Sequence, residues 1–182
     1  PKSVKKIGDG ILSGCHKVTI AKKNPRYQLK QGVVYTKNGK TLVSATGNVK
    51  KDFVLPAKVT KIRPYAFEGA DITSVKLSRH IIDIAPGTFA LCYELTKVTG
   101  MKRVQRIGYG AFFGSDELKT MDTFHSLKRI DRAAFWRTDG KLSITLPSSI
   151  EEIDTYAFSG YTQTTPINVK ISSSKKFYSK AG

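Results

Sequence analysis

The chain has 182 residues, of which 40% are hydrophobic and 10% aromatic, so it has ample apolar material for a packed core. Its 31 Lys and Arg against 14 Asp and Glu give a formal charge of +17, which favours anionic partners such as nucleic acid, acidic glycans or acidic protein surfaces. Two cysteines exclude a disulfide-rich scaffold, and no apolar stretch approaches the roughly 18–20 residues of a membrane span.

Residues 1–23 contain the first and weakest copy of a repeating pattern. It reads Val4-x-x-Ile7-x4-Leu12, that is, two aliphatic residues three apart and a large apolar residue five positions later. Pro1 occupies the place that Pro56 has in a later copy, so the sequence begins in the middle of a repeat. We therefore expect further sequence upstream in the natural protein.

Residues 24–50 interrupt the period and predict a β-hairpin. Two β-prone runs, residues 33–35 and 41–43, flank the segment Lys37-Asn38-Gly39-Lys40. Asn-Gly between such runs is the strongest short hairpin signal, because both turn residues tolerate positive φ. We expect this hairpin to leave the array of repeats and return to it.

Residues 51–171 hold five regular copies of the pattern, each ending in phenylalanine. They are Val59-x-x-Ile62-x4-Phe67, Ile81-x-x-Ile84-x4-Phe89, Val104-x-x-Ile107-x4-Phe112, Leu127-x-x-Ile130-x4-Phe135 and Ile150-x-x-Ile153-x4-Phe158. The step from Ile to Phe is always five residues, and successive Phe residues are 22 or 23 apart. A period this regular predicts structural repeats, with equivalent side chains stacked from one repeat to the next.

A second apolar stretch follows each phenylalanine, for example Ile72-Thr-Ser-Val75-Lys-Leu77. Apolar residues alternate there with Thr, Ser and Lys, which is typical of a half-buried strand. A period of 22–23 residues is too short for most helical repeats, and the β-branched content also argues against helix. The sequence therefore predicts a β-rich solenoid with two short strands in each repeat.

The tail, residues 172–182, begins with three serines and continues through Lys175, Lys176 and Phe177. Serine is a favoured helix cap, so we predict a short C-terminal helical segment that covers the last repeat. Residues 1–182 as a whole are predicted to form one solenoid domain.

The repeat resembles that of the BspA-like leucine-rich repeat family. Residues 55–69, LPAKVTKIRPYAFEG, and residues 146–158 match its unit closely, and residues 24–43 resemble a hairpin insertion common in the family. Glycine commonly follows the repeat Ile in that family, and this chain keeps it at Gly8 and Gly108 but has Arg63, Ala85, Asp131 and Asp154 in the other copies. The resemblance implies a right-handed leucine-rich-repeat solenoid. It also implies a bacterial surface-displayed or secreted protein, whose export signal is absent from this sequence, and a role in adhesion.

No motif predicts an enzyme, a cofactor site or a metal site. Gly108-x-Gly110-x3-Gly114 resembles a dinucleotide fingerprint only superficially, because the required long helix is missing and the glycines fall at repeat turns. Cys15 and Cys92 occupy equivalent repeat positions about two rungs, or roughly 10 Å, apart. That separation is beyond disulfide reach, so we predict two buried, inert thiols.

A candidate ligand site combines arginines and aromatic residues on neighbouring repeats. Arg106 and Arg129 precede the repeat Ile in successive units, Arg132 lies nearby, and Phe113 and Trp136 follow the core phenylalanine. Together they predict a basic stripe beside stacked aromatic rings, suited to an acidic or aromatic ligand. The alternative is that Phe113 and Trp136 pack under the neighbouring turn as part of the core.

The leading functional hypothesis is a non-catalytic module for extracellular recognition. Its partner would be a host or neighbouring-cell protein or an anionic glycan, bound by a monomer on a broad outer face. One alternative is charge-driven, non-specific binding of nucleic acid or an anionic cell-wall polymer, which would weaken steeply with salt. The other is a structural spacer that displays another domain. No membrane insertion is expected in either case.

Overall fold

The structure, a computed structural model, describes residues 1–138, 142–160 and 167–172. Within these residues it has fourteen short strands, one 3-10 turn at Met101–Arg103 and no α-helix. In chain order the strands are β1 Tyr27–Lys30, β2 Val33–Thr36, β3 Thr41–Ala45, β4 Asp52–Val54, β5 Lys61–Ile62, β6 Ser74–Lys76, β7 Asp83–Ile84, β8 Lys97–Thr99, β9 Arg106–Ile107, β10 Thr120–Met121, β11 Arg129–Ile130, β12 Ser143–Leu146, β13 Glu152–Ile153 and β14 Asn168–Ile171.

Successive repeats contribute their strands to parallel sheets. One sheet has the order β4-β6-β8-β10 and another has the order β7-β9-β11-β13, while β12 and β14 form a further parallel pair. The register joins equivalent repeat positions, so that Ile84 lies beside Ile107, Ile107 beside Ile130 and Ile130 beside Ile153. The predicted β-solenoid with two short strands in each repeat is confirmed.

The core phenylalanines form one continuous column. It consists of Phe67, Phe89, Phe112, Phe135 and Phe158. Successive ring centroids are 5.1–5.3 Å apart and the ring planes differ by only 6–20°, so the rings stack at a spacing close to that of the rungs. Phe53 on β4 adds a tilted sixth ring, 5.3 Å from Phe67, which the repeat pattern did not reveal.

The hairpin is present, but it does not leave the stack. Strands β1, β2 and β3 form an antiparallel meander, and β3 then pairs in parallel with β5. Leu42 on β3 lies beside Ile62 and is fully buried, so β3 continues the column of repeat isoleucines. The prediction that the hairpin leaves the array of repeats is therefore wrong, because the last strand of the hairpin supplies a rung of the solenoid.

Residues 1–23 do not form a regular rung, and no strand is found in them. Val4, Ile7 and Leu12 pack against Tyr27, Val34 and Val43 in a small apolar cluster of their own, on the face of the meander away from the main core. Arg63 links this segment to the solenoid, because its guanidinium donates to the carbonyl oxygen of Ile7 and pairs with Asp9 at 2.6 Å.

The predicted helical cap at residues 172–182 lies outside the described residues, apart from Ser172. Ser172 directly follows β14, and its hydroxyl donates to the carbonyl oxygen of Leu146 at 2.6 Å. That bond ties the end of β14 to the end of β12.

The two cysteines lie in different environments. Cys92 is fully buried, as expected, and its thiol lies 3.0 Å from the carbonyl oxygen of Phe67. Burial raises the pKa of the Cys92 thiol to about 12. Cys15 is exposed, so the expectation of two buried thiols is wrong for this residue. The reason is that residues 1–23 lie outside the regular stack that buries Cys92.

Thiol labelling is therefore expected to distinguish the two cysteines. The folded protein at mildly alkaline pH should incorporate one alkylating label, at Cys15, because the thiolate is the reactive form and Cys92 stays protonated and covered. Denaturation should expose the second thiol. Mass spectrometry of the labelled peptides measures this, and rapid labelling of Cys92 in the folded protein would contradict the stacked core around it.

Candidate functional site on the turn face

Each repeat makes a tight turn around its core phenylalanine, and the turns stack in register. We call the surface formed by residues 64–69, 86–91, 109–114, 132–137 and 155–160 the turn face. Backbone hydrogen bonds join neighbouring turns: the amide of Phe89 donates to the carbonyl of Ala111 at 2.8 Å, and that of Phe112 donates to Ala134 at 2.8 Å. The turn face is therefore as regular as the sheets.

The residue two positions before each phenylalanine has left-handed backbone geometry. These residues are Tyr65, Gly87, Gly110, Ala133 and Tyr156, with φ between 55° and 58°. Left-handed φ favours residues with little or no side chain, and the three central positions are indeed the small ones. A Cβ on Gly87 would lie 2.2 Å from the ring of Tyr65, so this ring lies directly over Gly87.

The small residues leave a shallow groove along the turn face, lined by aromatic rings. A cavity of about 220 Å³ is lined by Tyr65, Glu68, Gly87, Ala90, Leu91, Tyr109, Gly110, Phe113, Ala133 and Trp136. Phe113 and Trp136 meet edge to face with centroids 5.6 Å apart. We call this cavity and its continuation past Trp136 the turn-face groove.

The continuation of the groove carries a cation. A second cavity, of about 460 Å³, shares Tyr109, Ala133 and Trp136 with the first and extends to Arg132 and Tyr156. The guanidinium carbon of Arg132 lies 5.7 Å from the centre of the Tyr156 ring, within cation–π range. Tyr109 and Tyr156 are 49% and 60% exposed, so large aromatic surfaces here face solvent. The groove thus carries Arg132 at this end and Glu68 in the first cavity, so it suits an apolar ligand whose acidic group lies near Arg132.

The structure brings together only part of the predicted ligand site. Phe113, Arg132 and Trp136 line the turn-face groove, and Phe113 and Trp136 are half-buried beside it, not enclosed in the core. Arg106 and Arg129 lie on β9 and β11 instead, away from the residues that line the groove. Ligand binding by any of the five stays a prediction.

Arg106 and Arg129 hold a buried carboxylate. Their Nε atoms donate to Asp131 at 3.0 Å and 2.6 Å, and the side chain of Asp131 is only 7% exposed. Arg129 also pairs with Glu152 and lies 3.8 Å from Asp154. Burial by itself would raise the pKa of Asp131, but the hydrogen bonds from the two arginines outweigh it and lower that pKa below the ordinary value. Arg106 and Arg129, two of the three arginines of the predicted basic stripe, therefore belong to an ion-pair network.

Tyr65, Tyr109 and Tyr156 were not predicted as groove residues. Tyr65 and Tyr156 share one repeat position with Gly110, and Tyr109 directly precedes that position. That repeat position reads Tyr, Gly, Gly, Ala and Tyr along the chain, and its two glycines were the only signal of a tight turn there. The reading of Gly110 and Gly114 as turn glycines is confirmed by their φ values of 55° and 64°.

Two further observations concern the described part of the chain. There, no three His, Cys, Asp or Glu side chains lie close enough together to hold a metal ion. No helix in these residues has the length and apolar character needed to span a membrane.

The chain matches known proteins in its repeats and in its fold. Residues 44–165 match the BspA type leucine rich repeat region, in six copies. A leucine rich cell surface protein from Faecalibacterium prausnitzii is 26% identical with a TM-score of 0.73, over 84% of this chain and 41% of that one. No curated protein gives a significant match.

Two more distant structures share the fold. The pneumococcal vaccine antigen PcpA is 19% identical with a TM-score of 0.67, over 85% of this chain and 39% of that one. A leucine-rich repeat protein from Eubacterium ventriosum is 18% identical with a TM-score of 0.63, over 91% and 59%. The chain thus spans about two fifths of the first two proteins. With six repeat copies matched over residues 44–165, more than half of its length, this chain belongs to the BspA-type leucine-rich repeat family.

Proposed function

We propose that the chain is a non-catalytic recognition module of a bacterial surface or secreted protein, and that it binds a protein partner in the turn-face groove. The observation that carries the proposal is the groove itself, in which Tyr109, Phe113, Trp136 and Tyr156 expose aromatic surface around a floor of small residues. Exposed aromatic surface of this kind marks interaction sites, and tryptophan, tyrosine and arginine dominate the energetics of interfaces.

The chemistry of the groove favours an acidic segment that carries aliphatic or aromatic side chains. Apolar groups would fill the space beside Phe113 and Trp136, and an acidic group would reach Arg132 at the end near Tyr156. The formal charge of +17 supports the same choice, because it speeds the approach of acidic partners. Surface display is supported by the similarity to the Faecalibacterium prausnitzii cell surface protein.

A peptide selection tests this proposal. Peptides from a randomised displayed library are selected on the folded protein at physiological salt, and the dissociation constants of individual synthetic peptides are measured by calorimetry. Trp136→Ala is expected to weaken the selected peptides by about 2 kcal/mol or more, roughly thirtyfold in Kd, because it removes the largest ring of the groove.

Tyr93→Ala provides the matched control. Tyr93 is another exposed aromatic residue, 59% accessible, which does not line the groove. It should leave the Kd unchanged. Equal losses in both variants, or peptides that bind only at low salt and without preference for apolar side chains, would contradict the proposal. The second result would favour charge-driven polyanion binding. Failure to select any peptide would favour the spacer.

A further inference from the structure

A second pocket lies under the edge strand β1, at the opposite end of the chain from the turn-face groove residues Trp136 and Tyr156. Tyr27 and Leu29 on β1 pack into the small apolar cluster of residues 1–23, so Gln28 and Lys30 point to the other face of the strand. There they overhang the loop at residues 56–58. The resulting cavity has a volume of about 460 Å³ and is lined by Gln28, Lys30, Gln31, Tyr35, Gly39, Pro56 and Lys58.

Tyr35 lines this pocket and carries an unused hydrogen-bond donor, its covered hydroxyl. Its side chain is only 3% exposed, and its hydroxyl is the one buried side-chain polar atom without a hydrogen-bond partner among the residues that the structure describes. Burial raises the pKa of Tyr35 to about 12, so the hydroxyl keeps its proton at neutral pH. A buried hydroxyl without a partner is costly, and it marks a place where an acceptor is expected.

The chain segment that supplies most of the pocket's lining is strongly basic. Between Asp9 and Asp52 the chain has nine Lys or Arg and no acidic residue. Of the residues that the structure describes, Lys30 and Lys58 line the pocket and no acidic side chain does. Gly39 makes room for one of these ammonium groups, because a Cβ there would lie 2.5 Å from Nζ of Lys58.

We propose that this pocket binds one acidic sugar residue of an anionic glycan. Its volume lies within the range of small-ligand sites, about 300–1,000 Å³. The acid group of the sugar would lie between the ammonium groups of Lys30 and Lys58. A shift of the side chains that cover the Tyr35 hydroxyl would let this acid group accept a hydrogen bond from it. The apolar face of the sugar ring would pack on Pro56. This site is independent of the turn-face groove and of the function proposed for it.

The variant Tyr35→Phe tests the proposal without endangering the fold. It removes only an oxygen that has no partner in the protein, so its thermal midpoint should equal or exceed that of the wild type. The probes are a heparin hexasaccharide, which carries sulfate and carboxylate groups, and a galacturonic acid hexamer, which carries carboxylates alone. Whichever hexamer binds the wild type, calorimetry at physiological salt should show that Tyr35→Phe binds it at least about tenfold more weakly. The reason is that the lost hydrogen bond goes to a charged group.

Matched charge variants distinguish binding in this pocket from general attraction between the basic protein and an anionic ligand. Lys58→Gln should weaken binding of the same hexamer at least as much as Tyr35→Phe does. Lys97→Gln removes an equal charge on the outer side of β8, and it should change the Kd of that hexamer less than about twofold. Trp136→Ala should have no effect. The proposal is overturned if neither hexamer binds, or if Tyr35→Phe binds as the wild type does. It is also overturned if a single-stranded oligonucleotide of equal charge binds equally well and is weakened equally by Lys58→Gln and Lys97→Gln.

Discussion

Replacing Phe112 with alanine is expected to lower the free energy of unfolding by about 3–5 kcal/mol. The ring is fully buried and lies between Phe89 and Phe135, at centroid distances of 5.3 Å and 5.1 Å. Its removal opens a cavity in the middle of the column. Because each repeat of a solenoid is stabilised only by its neighbours, the loss affects the contacts on both sides. Equilibrium unfolding in urea measures the effect.

Phe113→Ala is the matched control for that measurement. It deletes the same side chain from the next residue, which is half-buried on the turn face and lies outside the column. We expect it to lower the free energy of unfolding by no more than about half as much as Phe112→Ala does, because it leaves no closed cavity. Equal costs for the two variants would contradict the separation between a buried column and an exposed groove.

Removing both partners of Asp131 is expected to have a comparably large effect. The double variant Arg106→Gln, Arg129→Gln should lose about 3–5 kcal/mol at neutral pH, because it leaves a buried carboxylate without its cations. Asp83 on β7 and Glu152 on β13 lie on the adjoining strands, and Asp154 follows β13, so the uncompensated charges would also repel each other. Thermal and urea unfolding measure the loss.

The pH dependence of this variant should have the opposite sign to that of the wild type. In the wild type the pKa of Asp131 is lowered on folding, so its contribution is complete above about pH 4, the unfolded pKa, and is lost as the pH falls through the folded value. Without the arginines, burial is the remaining influence and raises that pKa. The variant should then be closest to the wild type in acid and lose stability as the pH rises through the raised pKa.

The control for these charges is the double variant Lys119→Gln, Lys128→Gln. It also removes two cations, which pair with Glu117 and Glu151 at 3.1 Å and 3.3 Å in exposed positions. Exposed pairs contribute about 0–1 kcal/mol, so the expected loss is small and the pH profile should keep the wild-type shape. A similar profile in both double variants would mean that Asp131 is not dependent on its arginines.

The sequence predicts the stacked repeats well, because every repeat carries the same short pattern and consecutive repeats lie next to each other. The constant step from Ile62 to Phe67, and its copies as far as Phe135, predicts both which residues are buried and how far apart the rungs lie along the chain. In the last copy Ile153 is 36% exposed. The pairing of β3 with β5 is different, since it joins the hairpin to the array across a break in the period. Phe53 was missed for the same reason, because it precedes the first regular copy.

Only part of the candidate site could be predicted, because the period shows which residues are neighbours but not what surrounds them. Phe113 and Trp136 occupy equivalent places in neighbouring repeats, so their contact follows from the period. The period also brings Arg106 and Arg129 together, but it does not reveal that Asp131 lies buried between them. The floor of the groove depends on left-handed backbone at Ala133, which no side-chain pattern specifies.

Occupation of the turn-face groove can be measured directly, because Trp136 is the single tryptophan of the chain. Its emission is followed while a selected acidic peptide is titrated into the wild-type protein at physiological salt. If the groove is the binding surface, the emission shifts to shorter wavelength as water leaves the ring, and the shift saturates at the Kd given by calorimetry. A peptide that binds by calorimetry and leaves the Trp136 emission unchanged would show that recognition takes place elsewhere on the solenoid.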